Sequence, residues 1–157
     1  MNLKDILHPE CIKVPLDNTD KEAVISELVE LLSKQFELEQ AGVILSAVLE
    51  REKIRTTGIG QGLAIPHCKS SECGDRMLVA IGKPALPIDF NSIDGKPVNL
   101  VILLASPPDH TSEHIQVLAA ISRLMLKDEF REAAFAASSS EELYDLFTQR
   151  EATKAGT

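Results

Sequence analysis

The stretch VNLVILLA, residues 98–105, is almost continuously apolar and rich in branched side chains. A strand of this composition is usually covered on both faces, as in the sheet of an α/β protein. Pro107 and Pro108 follow after one further residue and end the strand. The stretch therefore predicts a central strand in an α/β fold, with a mixed, mostly parallel sheet flanked by helices on both faces.

The segments on either side of this strand supply the other elements. Met77–Ile81 is a short apolar run typical of a strand, ended by Gly82 and Pro84, and residues 63–67 predict another short strand. Two segments, Thr19 to Glu22 and Ser139 to Glu142, have the spacing of a capping box at a helix start. Apolar residues at helical spacing predict helices over about 20–35, 39–53, 111–127, 128–137 and 140–148.

Composition and charge restrict the class of protein. The chain has 157 residues, of which 44% are hydrophobic and 25% charged, so we expect one globular domain at 1–149 and a disordered polar tail at 150–157. The net charge of −8 argues against nucleic acid as a partner. No apolar run approaches the roughly 18 residues that a membrane span needs, and the charged N-terminal residues do not resemble a signal peptide. We therefore expect a cytoplasmic protein with no membrane insertion and with its three cysteines reduced.

The segment TGIGQGLAIPHC, residues 57–68, is the strongest indication of a functional site. Gly58, Gly60 and Gly62 remove side chains that would keep another backbone or a partner at a distance. Pro66 favours an extended conformation in the residue before it, which puts His67 at the end of a strand. We interpret the glycines as a backbone cradle or docking surface beside His67.

Three polar residues form the predicted site: His67, His114 and Arg51. A neutral histidine is a competent nucleophile near pH 7. His114 falls in the first turn of a predicted helix, where the positive end of the helix dipole disfavours an imidazolium and favours an anion. If the ends of these elements meet, one ring can attack phosphorus while the other ring and the guanidinium of Arg51 bind the phosphoryl oxygens.

Two other chemistries are less favoured. A zinc site could combine His67, Cys68, Cys73 and His114, but consecutive residues on an extended backbone point to opposite faces, and the spacing of the cysteines is not that of a zinc knuckle. A nucleophilic Cys68 meets the same objection. We therefore predict no metal ligand in this chain.

Four motifs resemble one family over about residues 3–147. They are the Arg-Glu pair at 51–52, TGIGQGLAIPH at 57–67, IDFNSIDGKPV at 88–98 and EHIQVL at 113–118. Together they resemble the EIIA components of the bacterial phosphoenolpyruvate-dependent sugar phosphotransferase system, of the fructose and mannitol type, including its nitrogen-regulatory branch.

The resemblance implies a function and a site. His67 would be the phosphoacceptor, modified at Nε2 by a histidine-phosphorylated carrier of the HPr or NPr kind, and His114 and Arg51 would stabilise the phosphoryl group. The chain would count as an enzyme, a phosphoryl-transfer component of the phosphotransferase system that acts as a histidine phosphocarrier rather than as a multiple-substrate turnover enzyme. The implied fold is a mixed sheet of five strands covered by helices, with no built-in cofactor.

The resemblance leaves the branch open. The amino-acid sequence around Ile88–Phe90 favours the nitrogen-regulatory branch, whose partners are regulatory target proteins. Two segments, Ser122–Leu124 and Glu129–Arg131, are closer to fructose-specific domains, which pass the phosphoryl group to a cysteine of an EIIB domain. Cys68 stands where the family often has glycine, so a side chain beside the nucleophile could affect the choice of partner. A third hypothesis is that the protein is a binding module that never transfers phosphate.

Overall fold

The computed structural model describes the backbone of residues 2–155 and the side chains of residues 2–149. Its strands are β1 (Ile12–Leu16), β2 (Gly58–Gly60), β3 (Leu63–Ala64), β4 (His67–Lys69), β5 (Leu78–Pro84) and β6 (Leu100–Ser106). Its α-helices are α1 (Leu3–Ile6), α2 (Lys21–Phe36), α3 (Ala41–Ile54), α4 (Thr111–Met125), α5 (Asp128–Ala136) and α6 (Ser140–Ala155).

The six strands form one mixed sheet with the order β1-β5-β6-β3-β2, and β4 also pairs with β6. Three pairs are parallel (β1 with β5, and β3 and β4 with β6), whereas β5–β6 and β2–β3 are antiparallel. The register of β3 and β4 is the same, because Leu63 lies opposite Leu100 and His67 lies opposite Leu104. β3 and β4 therefore lie one after the other along the same side of β6. The six strands consequently occupy five positions across the sheet. The predicted mixed, mostly parallel sheet is confirmed.

Strand β6 is buried on both faces, as its composition predicts. Its residues 100–106 are each buried, and alternate side chains enter two separate cores. Leu100, Ile102 and Leu104 pack into the core that contains residues of α1, α4, α5 and α6. Val101, Leu103 and Ala105 pack into the other core, which contains residues of α2 and α3. Burial of both faces explains why this strand has no polar alternation.

Two predicted element ends differ from the structure. β5 continues to Pro84 instead of ending at Gly82. Leu16 of the neighbouring strand fills the space where a Cβ of Gly82 would lie, so this glycine permits close strand packing and does not end the strand. The strand predicted at 63–67 is interrupted at Ile65–Pro66, because proline has no N–H for the sheet, and His67 consequently begins a strand rather than ending one.

The helix caps also refine the prediction. α2 begins at Lys21, and its N-cap is Asp20 rather than Thr19, the residue that the capping-box spacing indicated. The carboxylate of Asp20 accepts a hydrogen bond from the N–H of Ala23. At α6, the Ser139 hydroxyl does accept from the N–H of Glu142, as predicted. α6 runs to Ala155, so its backbone overlaps the tail predicted at 150–157. The side chains of 150–157 and the last two residues lie outside the described residues.

None of the helices within residues 2–155 combines the length and the apolar composition that crossing a bilayer demands.

Candidate functional site

His67 is the first residue of β4, and its ring is held by a backbone carbonyl two residues earlier in the chain. Its Nδ1 lies 2.8 Å from the carbonyl oxygen of Ile65, which can only accept a hydrogen bond. Nδ1 therefore carries the proton and donates it, and in the neutral ring Nε2 keeps its lone pair. Pro66 sits between donor and acceptor and keeps that backbone extended. The local fold thus selects the tautomer in which Nε2 is the unprotonated ring nitrogen.

The surroundings of His67 keep the ring neutral. The side chain is half-buried, and this burial is the main cause that lowers its pKa below the ordinary value, with the charge of Arg51 acting in the same direction. The hydrogen bond to Ile65 and the charge of Glu52 oppose this shift. A neutral imidazole at pH 7 is the form that can attack an electrophile.

His114 lies in the first turn of α4 and is almost completely buried, with 5% of its surface exposed. Its Nδ1 is 2.5 Å from Oγ of Ser106, the last residue of β6. Burial, followed by the charges of His67 and Lys69, lowers its pKa to about 4. The ring is therefore neutral, as predicted, but the main cause is loss of solvent and not the helix dipole.

The two rings meet across a cleft. Their centroids are 5.4 Å apart, and their planes are inclined at 63°. The cleft has a volume of about 450 Å³ and is lined by Ala47, Arg51, His67, Cys68, Lys69, His114 and Leu118. The structure thus brings together all three of the polar side chains that the sequence predicted to form a site.

Arg51 reaches the cleft from the last turn of α3. Its Nη1 donates to the carbonyl oxygen of Arg55 at 2.9 Å, which holds the guanidinium near the helix end and leaves further N–H donors for a ligand. Arg51 also lines a second cleft of about 290 Å³, which shares His67 and Leu118 with the first. A fixed cation beside two neutral imidazoles suits a tetrahedral dianion such as a phosphoryl group.

The three glycines have a different role from the one predicted. Gly58, Gly60 and Gly62 are buried, and none of them is among the residues that line the two clefts. A Cβ on Gly58 would clash with the hydroxyl of Ser92, and one on Gly62 would lie 2.8 Å from both Asn99 Nδ2 and Phe135 Cζ. Gly60 and Gly62 also have φ values of +97° and +78°. The glycines allow the chain to turn and pack tightly within the domain; they are not a bare surface beside His67.

Cys68 belongs mainly to the core. Its Sγ is 4.0 Å from the carbonyl oxygen of Ile44 in α3, and burial raises the pKa of its thiol to about 12. The pKa of Cys73 is likewise raised to about 11 by burial. Such thiols are poor nucleophiles and poor metal ligands. Among the described residues, no group of three or more His, Cys, Asp or Glu is arranged to hold a metal ion.

Two features of the site were missed from the sequence. Lys69 lines the cleft and donates to Thr111 Oγ1 at 3.0 Å; its position two residues after His67, on the same face of a strand, could have indicated it. The buried carboxylate of Glu52 accepts from the N–H and the hydroxyl of Thr57 at 2.8 and 2.6 Å, and it also pairs with Lys21. Because the Thr57 carbonyl accepts from the N–H of Ile65, this carboxylate supports the segment that orients His67.

Comparison with known proteins identifies the family. Residues 5–150 match the family described as phosphoenolpyruvate-dependent sugar phosphotransferase system, EIIA 2. This match covers nearly the whole domain, and the chain belongs to that family.

Individual relatives come from both branches of the family. The chain is 34% identical over 153 residues to the nitrogen regulatory protein of Escherichia coli K12, covering 98% of this chain and 93% of that one. It is 31% identical over 151 residues to the fructose-specific EIIABC component of Bacillus subtilis, covering 96% of this chain but only 24% of that longer protein. The crystal structure of the nitrogen regulatory protein IIA-Ntr from Neisseria meningitidis has a TM-score of 0.85 and 31% identity, covering 93% of this chain and 99% of that one.

Proposed function

We propose that this protein is a phosphohistidine carrier of the phosphotransferase system, which accepts a phosphoryl group on Nε2 of His67. The observation that carries the proposal is the hydrogen bond from His67 Nδ1 to the carbonyl of Ile65, because it leaves Nε2 unprotonated in a cleft. The lone pair of Nε2 attacks the phosphorus of a phosphohistidine on the donor. A new P–N bond forms as the P–N bond of the donor breaks, and the electron pair stays on the departing imidazole.

The groups around His67 support transfer of a charged phosphoryl group. Arg51 and Lys69 supply two cations to the cleft, which balance the negative charge on the phosphoryl oxygens. The neutral ring of His114 adds a hydrogen bond without placing a further positive charge next to His67. We assign to Arg51 and His114 the stabilisation of the phosphoryl group, and to Lys69 an auxiliary electrostatic role.

The rim of the site supports a protein as the phosphoryl donor. Ile59, Ile93 and Ile115 are 44%, 60% and 60% exposed, and Ile59 and Ile93 line the same cleft as His67. Large apolar side chains exposed around a reactive residue mark a surface for protein contact. We infer a carrier of the HPr or NPr kind as donor, in the cytoplasm, where free thiols such as the three cysteines of this chain are normal.

We further propose that the phosphorylation state acts mainly as a nitrogen-regulatory signal read by target proteins. This choice is supported by similarity to nitrogen regulatory proteins along nearly their whole length. The second candidate is a fructose-specific EIIA that passes the group to an EIIB cysteine, and it is supported by the similarity to the B. subtilis fructose component. Transfer to a purified fructose EIIB would favour the second candidate, and its absence would favour the regulatory one.

The central test is phosphorylation with phosphoenolpyruvate, enzyme I and an HPr- or NPr-type carrier. We expect an acid-labile, base-stable adduct that mass spectrometry locates on His67. The variant His67→Ala should take no phosphate, whereas His110→Ala, which changes a histidine outside the two clefts, should be labelled like the wild type. Undiminished labelling of His67→Ala would contradict the proposal. A variant His67→Ala that takes no label but keeps every partner-dependent response would instead support a binding module.

A further inference from the structure

Ser106 places a hydroxyl against the ring of His114, which lines the cleft. It is the last residue of an otherwise apolar strand, it is fully buried, and its Oγ contacts Nδ1 of His114 at 2.5 Å. Hydroxyls inside apolar strands are disfavoured unless they form a hydrogen bond. This one forms its hydrogen bond with Nδ1 of His114, which leaves Nε2 as the ring nitrogen available to a ligand in the cleft that His114 lines.

The direction of this bond follows from the requirement that buried donors be paired. Among the described side chains and backbone groups, Nδ1 of His114 is the single hydrogen-bond partner of the Ser106 hydroxyl oxygen. If Nδ1 carried the proton and donated it, the hydroxyl hydrogen would be a buried donor with no acceptor, and solvent cannot reach it because Ser106 is 0% exposed. The arrangement that pairs the hydroxyl hydrogen has Ser106 donating to an unprotonated Nδ1.

We propose that Ser106 is a positioning residue that holds His114 in the tautomer with its proton on Nε2, so that His114 donates a hydrogen bond to the phosphoryl group on His67. The inference rests on the proposed function and deepens it. A neutral imidazole has one N–H, and with the other tautomer His114 would present a lone pair to the anionic oxygens. His67 and His114 are thereby set in opposite tautomers. The nucleophile exposes a lone pair at Nε2 because Ile65 accepts from its Nδ1, and its neighbour exposes an N–H at Nε2 because Ser106 donates to its Nδ1.

The tautomers can be read directly by ¹⁵N NMR of the histidine rings in unphosphorylated protein at pH 7. Spectra of His67→Gln and His114→Gln identify the two rings. We expect the nitrogen bearing the proton to be Nδ1 in His67 and Nε2 in His114. In Ser106→Ala, His114 should become a mixture of both tautomers while His67 stays unchanged. A proton on Nδ1 of His114 in the wild type, or an unchanged His114 spectrum in Ser106→Ala, would overturn the inference.

Transfer rates test the consequence for function. We expect Ser106→Ala to accept phosphate about 3- to 10-fold more slowly than the wild type, the effect of one hydrogen bond. The matched pair Ser106→Thr and Ser106→Val isolates the hydroxyl, because the two side chains have nearly the same shape. The Thr variant should keep the wild-type tautomer and transfer rate, and the Val variant should lose both. Should the bulkier pair fail to fold, Ser106→Ala alone decides, and a wild-type transfer rate in it would overturn the inference.

The two parts of the experiment separate this inference from the proposed function. The NMR measurement needs no phosphoryl donor, so the wrong tautomer at His114 would refute the role of Ser106 even if His67 is labelled. Absence of label on His67 in the wild type would refute the proposed function itself, whatever the tautomer of His114.

Discussion

His67 and His114 lie with their ring centroids 5.4 Å apart and their planes at 63°, although they belong to a strand and a helix that are far apart in the sequence. Each ring has its Nδ1 engaged within the protein: His67 with the Ile65 carbonyl and His114 with the Ser106 hydroxyl. Nε2 is therefore the nitrogen that remains for a ligand on both rings. In the function proposed above, the pair combines a nucleophile and a hydrogen-bond donor in one cleft. Both rings are kept neutral chiefly by burial.

Burial of His114 makes stability depend on pH. Its pKa is lowered from 6.5 to about 4 in the folded protein, so the unfolded chain binds more protons between these values and stability falls as the pH drops through them. We expect the wild type to lose on the order of 3 kcal/mol more unfolding free energy between pH 7 and pH 4 than His114→Gln. Urea unfolding of both proteins at both pH values measures this difference. The contributions of the carboxylates to the pH dependence cancel, because both proteins contain the same carboxylates. Equal losses would show that the ring is not buried in its neutral form.

Arg51→Ala should slow phosphate transfer to His67 about 10- to 100-fold, because a charge-assisted hydrogen bond to the phosphoryl group is lost. Lys53→Ala is the matched control: it removes the same charge from the same helix, but Lys53 lies outside the two clefts at His67. Rapid-quench labelling of the two variants compares them. Similar rates for both variants would mean that Arg51 acts only through the overall charge.

Glu52→Gln should lower the free energy of unfolding by about 2–3 kcal/mol, since an amide presents donors to groups that need acceptors. The carboxylate accepts from Thr57 twice and from Lys21, and it is only 7% exposed. Glu50→Gln changes an exposed carboxylate of the same helix and should alter stability by less than about 0.5 kcal/mol. Chemical denaturation compares the two variants; equal effects would show that Glu52 does not anchor the segment at Thr57.

Gly62→Ala should destabilise the fold by about 2 kcal/mol or more. Its φ is +78°, and a Cβ would meet Asn99 and Phe135 at 2.8 Å. Gly42→Ala provides the opposite case, because Gly42 lies in α3 with no atom within 4 Å of its Cβ position. This control should be neutral or more stable by about 0.5–1 kcal/mol. Thermal unfolding of both variants measures the contrast, and a fully stable Gly62→Ala would contradict the packing role of the glycines.

The pattern of residues predicted the fold class and the three polar members of the site. An apolar strand without alternation indicates a sheet covered on both faces, and β6 divides its side chains between two cores as that pattern requires. The Gly-rich segment before His67 indicated a functional site, but the sequence did not predict what its glycines do. A glycine can serve a ligand, a partner or a tight internal packing contact, and only the positions of Ser92, Asn99 and Phe135 decide among these.

By itself the sequence determined the α/β class, the extent of most helices and the extended backbone before Pro66, because these depend on contacts between residues close along the chain. The tertiary structure alone decided which ring nitrogens are engaged on His114, which groups neutralise charge in the cleft and which carboxylate anchors the segment before His67. Those features depend on contacts between distant residues, such as Ser106 with His114 and Lys21 with Glu52, and on burial. A residue's solvent exposure and its hydrogen-bond partner exist only once strands and helices have packed together.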